Sequence, residues 1–302
     1  MTAQPTLKQL KYLCAIAKTQ HFGQAAKDCH VSQSTLSTAI HELEEHLGAV
    51  LIERSNKRAH LTRLGEEVVS RGRDILVNVA DLVSLCNTSE KPFSHELRLG
   101  VIPTIAPYLL PSLLHLMRNE YPGFKLSLKE ELSRVLVERL NNGELDVLLL
   151  ALPYPSPGAT TFHLFYDDFL LACPDNHLLA STHPIQLDDL NNQDLLLLED
   201  GHCLRDHALE ACKLNTNELS IPYQATSLNT LVQMVANGMG ITLLPKMAID
   251  AHILADIPVT VKPFLEKKIW RSIGLLWRNS SPRKEEFELL GNLLQQLWGN
   301  NR

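Results

Sequence analysis

Nowhere in its 302 residues does the chain reach the run of about 18 apolar residues that a membrane-crossing helix needs. The N-terminus, MTAQPTLKQLKYLC, lacks a basic flank followed by an apolar core, so no secretion signal is read there and a cytoplasmic protein is expected. Cysteine is sparse. Six residues in a chain of this size do not make a disulfide framework, and no C-x2-C pair is present to seed a zinc site. Neither metal nor cofactor is expected. Fourteen glycines and sixteen prolines are ordinary usage, which excludes fibrous and disordered classes. What is present is 45% hydrophobic residues, enough length for two or three domains of roughly 100–200 residues, and a sizeable core.

The net charge of −6 is unevenly placed. Residues 1–63 hold eight Lys and Arg against five acids, a net of +3, which leaves −9 for the remainder. A small basic head on an acidic body is compatible with nucleic-acid binding, although +3 lies within ordinary scatter.

In the head, Pro5-Thr6 ahead of Leu7, Leu10, Leu13 and Ile16 predicts a capped amphipathic helix to about Thr19. A short second helix carries Phe22, Ala25, Ala26 and Cys29, the alanines small enough for close packing. After a turn at His30-Val31, Ser32 caps a third helix that buries Leu36, Ile40, Leu43 and Leu47 and stops at Gly48. Two helices joined by so short a turn form a helix-turn-helix unit. Gln33, Ser34, Thr35 and Ser37 at the start of the third helix are short hydrogen-bonding side chains suited to base edges and phosphates in a major groove. Arg54, Lys57, Arg58, Thr62 and Arg63, around a turn at Ser55-Asn56, form the pattern of a basic wing on the phosphate backbone. Periodicity alone leaves a generic helical subdomain with a solvated basic face equally open.

The stretch HFGQAAKDCHVSQSTLSTAIHELEEHLGAVLIERSNKRAHLTRLGE closely resembles the N-terminal winged helix-turn-helix of LysR-type transcriptional regulators over about 60 residues without a gap. One departure is visible. Ala39, His41 and Glu42 stand where the family usually has polar or basic side chains near the middle of its recognition helix, so the charge facing DNA is thin there. Residues 64–86 predict one long helix with an apolar stripe (Val68, Val69, Ile75, Leu76, Val79, Leu82, Val83, Cys86). Such a stripe is buried most simply on a second copy or, in the other reading, on the chain's own head. The resemblance also implies a dimerisation helix. Residues 87–95, with Pro92, read as a flexible linker.

From 96 onward strands alternate with helices, which predicts parallel sheets covered on both faces. The expected fold is therefore α/β: a winged helix-turn-helix at 1–63, a linker helix at 64–86, and a regulatory domain at 96–302. Similarity to the family's effector domain divides the last into two lobes of the periplasmic-binding-protein type. Lobe I takes about 96–165 and 268–302, lobe II about 166–267, and RSIGLLWR returns the chain to lobe I.

The chemically informative stretch is LLLLEDGHCLRDHALEAC. Cys203 sits near a helix N-terminus between His202 and Arg205, with Asp206 and His207 beside it. A helix start and neighbouring cations both favour the thiolate. Cys212 lies nine residues on. At 100° and 1.5 Å per residue this is about 900° and about 13.5 Å, so the sulfurs face opposite sides and cannot bridge while the helix is intact. Read by themselves, both fit inert buried cysteines better than a reactive pair. Asp200 and Asp206 read as caps or anchors of this helix, and Cys14, Cys29, Cys86 and Cys173 as core.

EDGHCLRDHALEAC, GVIPTIAPYLLP and ATSLNTLVQMVANGMGITLLP together resemble the peroxide-sensing branch of the same family along almost the whole chain. That resemblance implies that Cys203 is the peroxidatic and Cys212 the resolving cysteine, switched by a reversible disulfide. It implies a peroxide pocket of Thr104, Ser133, His202 and Arg271, with Arg271 stabilising the thiolate. From the residues alone, Thr104 and Ser133 read equally as helix caps and Arg271 as an interlobe ion pair. The implied partners are double-stranded DNA at a pseudo-palindromic operator, hydrogen peroxide, further copies of the chain in a homodimer or homotetramer, RNA polymerase, and a cytosolic reductant of glutaredoxin or thioredoxin type. The rival reading is a family member taking a small organic effector in its cleft, with inert cysteines. A thiol peroxidase would have no use for the head, so an enzyme is not expected.

Overall fold

The computed structural model describes residues 4–54, 59–86, 92–181, 184–191, 193–212, 223–266 and 269–300. They fall into two compact units, one N-terminal and one from the linker onward.

The N-terminal unit begins with α1 (Leu7–Thr19), where Thr6 and Gln9 form a reciprocal capping box. α2 (Phe22–Asp28) is capped by the His21 ring, and α3 (Gln33–Leu47) by Ser32. α3 ends at Gly48, whose φ of 63° is the left-handed conformation that stops a helix at least cost to a residue without Cβ. Ala25 and Ala26 are buried, and with Leu13, Ile16, Leu36, Ile40 and Leu43 they make the core. A two-stranded wing follows, β1 (Ile52–Arg54) antiparallel to β2 (Ala59–Leu61). Glu44 of α3 fixes it by accepting hydrogen bonds from the amides of Leu51 (2.8 Å) and Ile52 (3.1 Å). The expected turn at Ser55-Asn56 lies outside the described residues.

The long α4 (Arg63–Cys86) packs its first half on the head. A Cβ on Gly65 would lie 2.1 Å from the Leu51 carbonyl oxygen, so only glycine lets the helix start there. Further along, Ile75, Leu82, Val83 and Leu85 are exposed. The stripe is thus shared between the two readings, its start covered by the head and its end exposed. Cys86 is exposed, which corrects its assignment to the core: it ends a helix that has by then left the head.

The second unit opens with β3 (Leu97–Val101), α5 (Ala106–Glu120), β4 (Leu126–Glu130), α6 (Ser133–Asn141) and β5 (Val147–Leu152), whose strands pair in parallel. β6 (Ala159–Pro174) then runs unbroken for 16 residues, across the lobe boundary near 166 that the family resemblance implies. No glycine or proline interrupts it before its last residue, Pro174. Its first part pairs with β11 (Trp270–Arg278) and its last part with β9 (Thr242–Pro245) and β10 (Val259–Lys262), all antiparallel. β11 also pairs antiparallel with β5. The seven-stranded sheet is therefore mixed, correcting the expectation of parallel sheets: the returning strand and the long crossing strand both run against their neighbours. Among the described residues, lobe II adds α7 (Leu178–Ser181), the two-stranded parallel pair β7 (Leu197–Leu198) and β8 (Gln224–Ala225), and the helices α8 (Cys203–Ala211), α9 (Leu228–Ala236) and α10 (Lys246–Asp250). The C-terminal α11 (Lys284–Asn300) packs against β6 and β11.

Candidate functional site

Four expected residues from three separate segments meet in one small depression: Thr104, Ser133, His202 and Cys203, walled further by Ile102, Pro103, Leu132 and Gly201. Thr104 lies in the turn after β3, Ser133 starts α6, and His202 and Cys203 form the entry of α8. This is the edge beyond the strand ends where open α/β sheets place ligands. All four side chains are buried. Neither hydroxyl is a cap. α5 begins after Ile105, without a side-chain cap, and the Ser133 hydroxyl makes no hydrogen bond of ordinary geometry among the described residues. It nevertheless acts on Cys203, holding that thiol's pKa down.

Thr104 instead holds Arg271. The guanidinium donates to Thr104 Oγ1 (2.9 Å) and to the Thr104 carbonyl (2.9 Å), to Asp167 Oδ2 through Nε (3.0 Å), and to Met247 Sδ (3.2 Å). Asp167 also accepts from the Met247 amide at 2.9 Å. Both charged side chains are fully out of water. One cluster thus joins β11, β6, the turn after β3 and the start of α10. Asp167 was not legible as a functional candidate. The available signal was an acid inside an apolar strand, which must find a partner, and the β6–β11 register sets Asp167 opposite Arg271.

Burial pushes the Cys203 thiol upward. The Ser133 hydroxyl, the Arg271 charge and the Ala151 amide pull against that, and Asp206 adds to it. This corrects the expectation that cations flanking the cysteine in sequence favour the thiolate. His202 is held neutral by burial, and His207 by burial and by Arg271. Arg205 turns to an ion pair with Asp200, which anchors the helix entry. The positive charge felt by the sulfur is that of Arg271, distant in sequence. Cys212 stands as the C-cap of α8. Its thiol is pushed up to about 12 by burial and then by Glu266. Cys203 belongs to the core of lobe I and Cys212 to that of lobe II. Among the described residues no group of side chains is placed to hold a metal ion, and no helix is long and apolar enough to cross a membrane.

On the head, Gln33, Ser34 and Thr35 are exposed at the start of α3, and Ser37 is half-buried. Ser32 Oγ lies 2.8 Å from both Ser34 Oγ and Thr35 Oγ1, so this hydroxyl row is pre-ordered. Arg63 is 95% exposed. Thr62 is committed to the fold: its hydroxyl donates to the Val50 carbonyl (2.9 Å) and accepts from the Gly65 amide (2.9 Å), starting α4. That corrects its reading as a phosphate contact. Arg54 ends β1. Lys57 and Arg58 lie outside the described residues.

A helix-turn-helix with a wing, joined by a long helix to a two-lobed α/β domain, defines a DNA-binding regulator controlled through its second domain. Comparison with known proteins agrees. Residues 7–66 match the bacterial regulatory helix-turn-helix of the lysR family, and residues 90–299 match the LysR substrate binding domain. The chain belongs to the LysR family of bacterial transcriptional regulators. It is 41% identical to the HTH-type transcriptional regulator EstR of Acinetobacter baylyi, covering 98% of both chains. It is 39% identical to a probable hydrogen peroxide-inducible genes activator of Streptomyces viridosporus, covering 97% of this chain and 94% of that one. Among solved structures it is similar to a full-length OxyR variant from Pseudomonas aeruginosa, with a TM-score of 0.76 and 35% identity over 97% and 98% of the two chains.

Proposed function

We propose that the protein is a peroxide-responsive transcriptional regulator switched by a reversible bond between Cys203 and Cys212. The observation that carries this reading is the convergence of Thr104, Ser133, His202 and Cys203 in one depression, with the Arg271 guanidinium bound to Thr104. The Cys203 sulfur attacks a peroxide oxygen while the Thr104 and Ser133 hydroxyls and the Arg271 charge stabilise the departing oxygen. The resulting sulfenic acid condenses with the Cys212 thiol, releasing water. Because the two sulfurs lie in different cores at opposite ends of α8, that bond requires α8 to unwind. A dithiol reductant of glutaredoxin or thioredoxin type reverses it. The refolded segment shifts contacts between copies of the chain, and so the spacing of the heads on a pseudo-palindromic operator and their access to RNA polymerase. The exposed second half of α4 suits pairing with another copy, in a dimer or a dimer of dimers.

The test is thiol counting after brief exposure to micromolar peroxide. Loss of two thiols in the unsubstituted protein, and of no such pair in Cys203→Ser or Cys212→Ser, supports the switch. A second reading, an organic effector with inert cysteines, is favoured by the similarity to EstR, whose name carries no peroxide. It is favoured too by an aromatic groove lined by Tyr154, Tyr166 and Trp270. Unchanged thiols together with a melting-temperature rise on adding a metabolite would establish it.

A further inference from the structure

The paired strands β6 and β11 have two faces, and the Arg271 cluster uses one of them. Arg271 and Asp167 stand opposite each other in the pairing and are buried together. Side chains alternate along a strand, so Trp270 and Ser272 on β11, and Tyr166 on β6, project from the reverse face. The register agrees: Ser272 stands opposite Tyr166 on one side and Leu152 of β5 on the other. Thr161 reaches the same face because the register shifts between Ile273 and Gly274, as at a bulge. Burial follows this division. Phe162 packs against Gly291 and Phe165 on the Trp298 ring, both under α11, while Thr161 and Tyr166 are exposed.

The reverse face holds a groove of about 360 Å³. Tyr154, Tyr166 and Trp270 give it three rings, Thr161 and Ser272 give it two hydroxyls, and Leu152 and Pro153 complete the wall. That volume lies in the range of small-molecule pockets. It is well above the roughly 150 Å³ that takes a benzene ring, so a fused pair of rings fits. No charged side chain is among the described residues that line it. An ion placed there would give up water without gaining a partner, so the fitting occupant is uncharged. The rings set its shape. Those of Tyr166 and Trp270 have centroids 3.9 Å apart at 48°, and Tyr166 is 46% exposed. An aromatic pair held together yet facing water offers its surface to a further flat ring. The hydroxyls of Thr161 and Ser272 suit one or two polar substituents.

We propose that this groove binds an uncharged aromatic molecule of one or two rings that carries a hydroxyl or carbonyl group, at a site separate from the depression at Cys203. It gives the organic-effector reading a ligand class and a place, and it holds whether or not the cysteines are redox-active. The two sites approach each other at Tyr154, on which the Cys203 charge acts.

The probe is 2-naphthol, titrated calorimetrically into the reduced full-length protein near pH 7, where a phenolic hydroxyl stays protonated. Saturable binding of one molecule per chain is expected. Tyr166→Ala and Trp270→Ala should each weaken it by about tenfold or more, whereas Leu178→Ala, at an exposed leucine of α7, should leave it unchanged. Two comparison compounds should each bind at least about tenfold more weakly: 2-naphthoate, which adds a charge, and decahydro-2-naphthol, which removes the aromatic rings. No saturable binding up to about 1 mM, indifference to both ring substitutions, or equal affinity for either comparison compound overturns the inference. Tyr166 is exposed, so its truncation spares the core, and circular dichroism checks that the variant is folded. If Tyr166→Ala changes the oligomeric state of a protein that binds no 2-naphthol, the groove is a contact between copies and the inference falls. Titration of the Cys203→Ser, Cys212→Ser variant separates the claims. Binding retained there, with no loss of thiols to peroxide in the unsubstituted protein, leaves the groove standing and the disulfide switch fallen. Loss of the thiol pair without any binding of 2-naphthol does the reverse.

Discussion

Cys203 and Cys212 stand at the two ends of one helix, and their side chains enter the cores of different lobes. A bond between them is incompatible with that helix, because intact α8 holds their Cα atoms about 13.5 Å apart where a disulfide requires less than about 7 Å. A disulfide between them would therefore withdraw two buried side chains from two cores at once, a structural event as well as a chemical one.

Hydrogen exchange reads this directly. On oxidation, the amides of residues 203–212 should lose the protection of a folded helix and regain it with dithiothreitol, while the α1 amides stay unchanged. Equal protection in both states would show that the helix survives and that the disulfide is not the switch.

Arg271 and Asp167 should behave as one unit. Arg271→Ala leaves a wholly buried carboxylate without its partner, a loss of about 3–5 kcal/mol. Replacing both residues by apolar ones should recover much of it. Urea unfolding of the two single variants and the double variant gives the coupling, and additive effects would exclude it.

Acid should weaken the regulatory domain through His202 and His207. Burial favours the neutral ring in both, so the fold binds their protons less readily than the unfolded chain does. Between the unfolded value of about 6.5 and the depressed folded values the unfolded chain holds more protons, so stability is lost as pH falls through that window. Melting temperatures from about pH 7.5 down to about pH 5 should drop in the unsubstituted protein and drop less in the His202→Gln, His207→Gln double variant.

On the head, Arg54→Ala should weaken binding to all DNA sequences alike and reduce the salt slope by about 1, as expected for a phosphate contact. Gln33→Ala or Thr35→Ala should change which operator is preferred, because these side chains lie exposed at the start of α3. Titrations of each variant against two operators at several salt concentrations check both. Identical behaviour would show that wing and reader have been wrongly assigned.

Local physics made much of this protein legible. The caps at Thr6 and Ser32, the stop at Gly48 and the span of α5 follow from residue type and short-range periodicity, where a handful of neighbours decides the outcome. The opposed sulfurs of α8 follow likewise from helical geometry alone. What the sequence could not supply were distant partners. The unbroken β6, the antiparallel return of β11, and Asp167 set against Arg271 depend on which strands lie side by side, which no local pattern encodes. The electrostatics of Cys203 inverted for the same reason. The cations adjacent in sequence are neutral or turned away, and the positive charge that acts on the sulfur arrives from 68 residues further along the chain by sheet register, in a site whose burial only the assembled core determines.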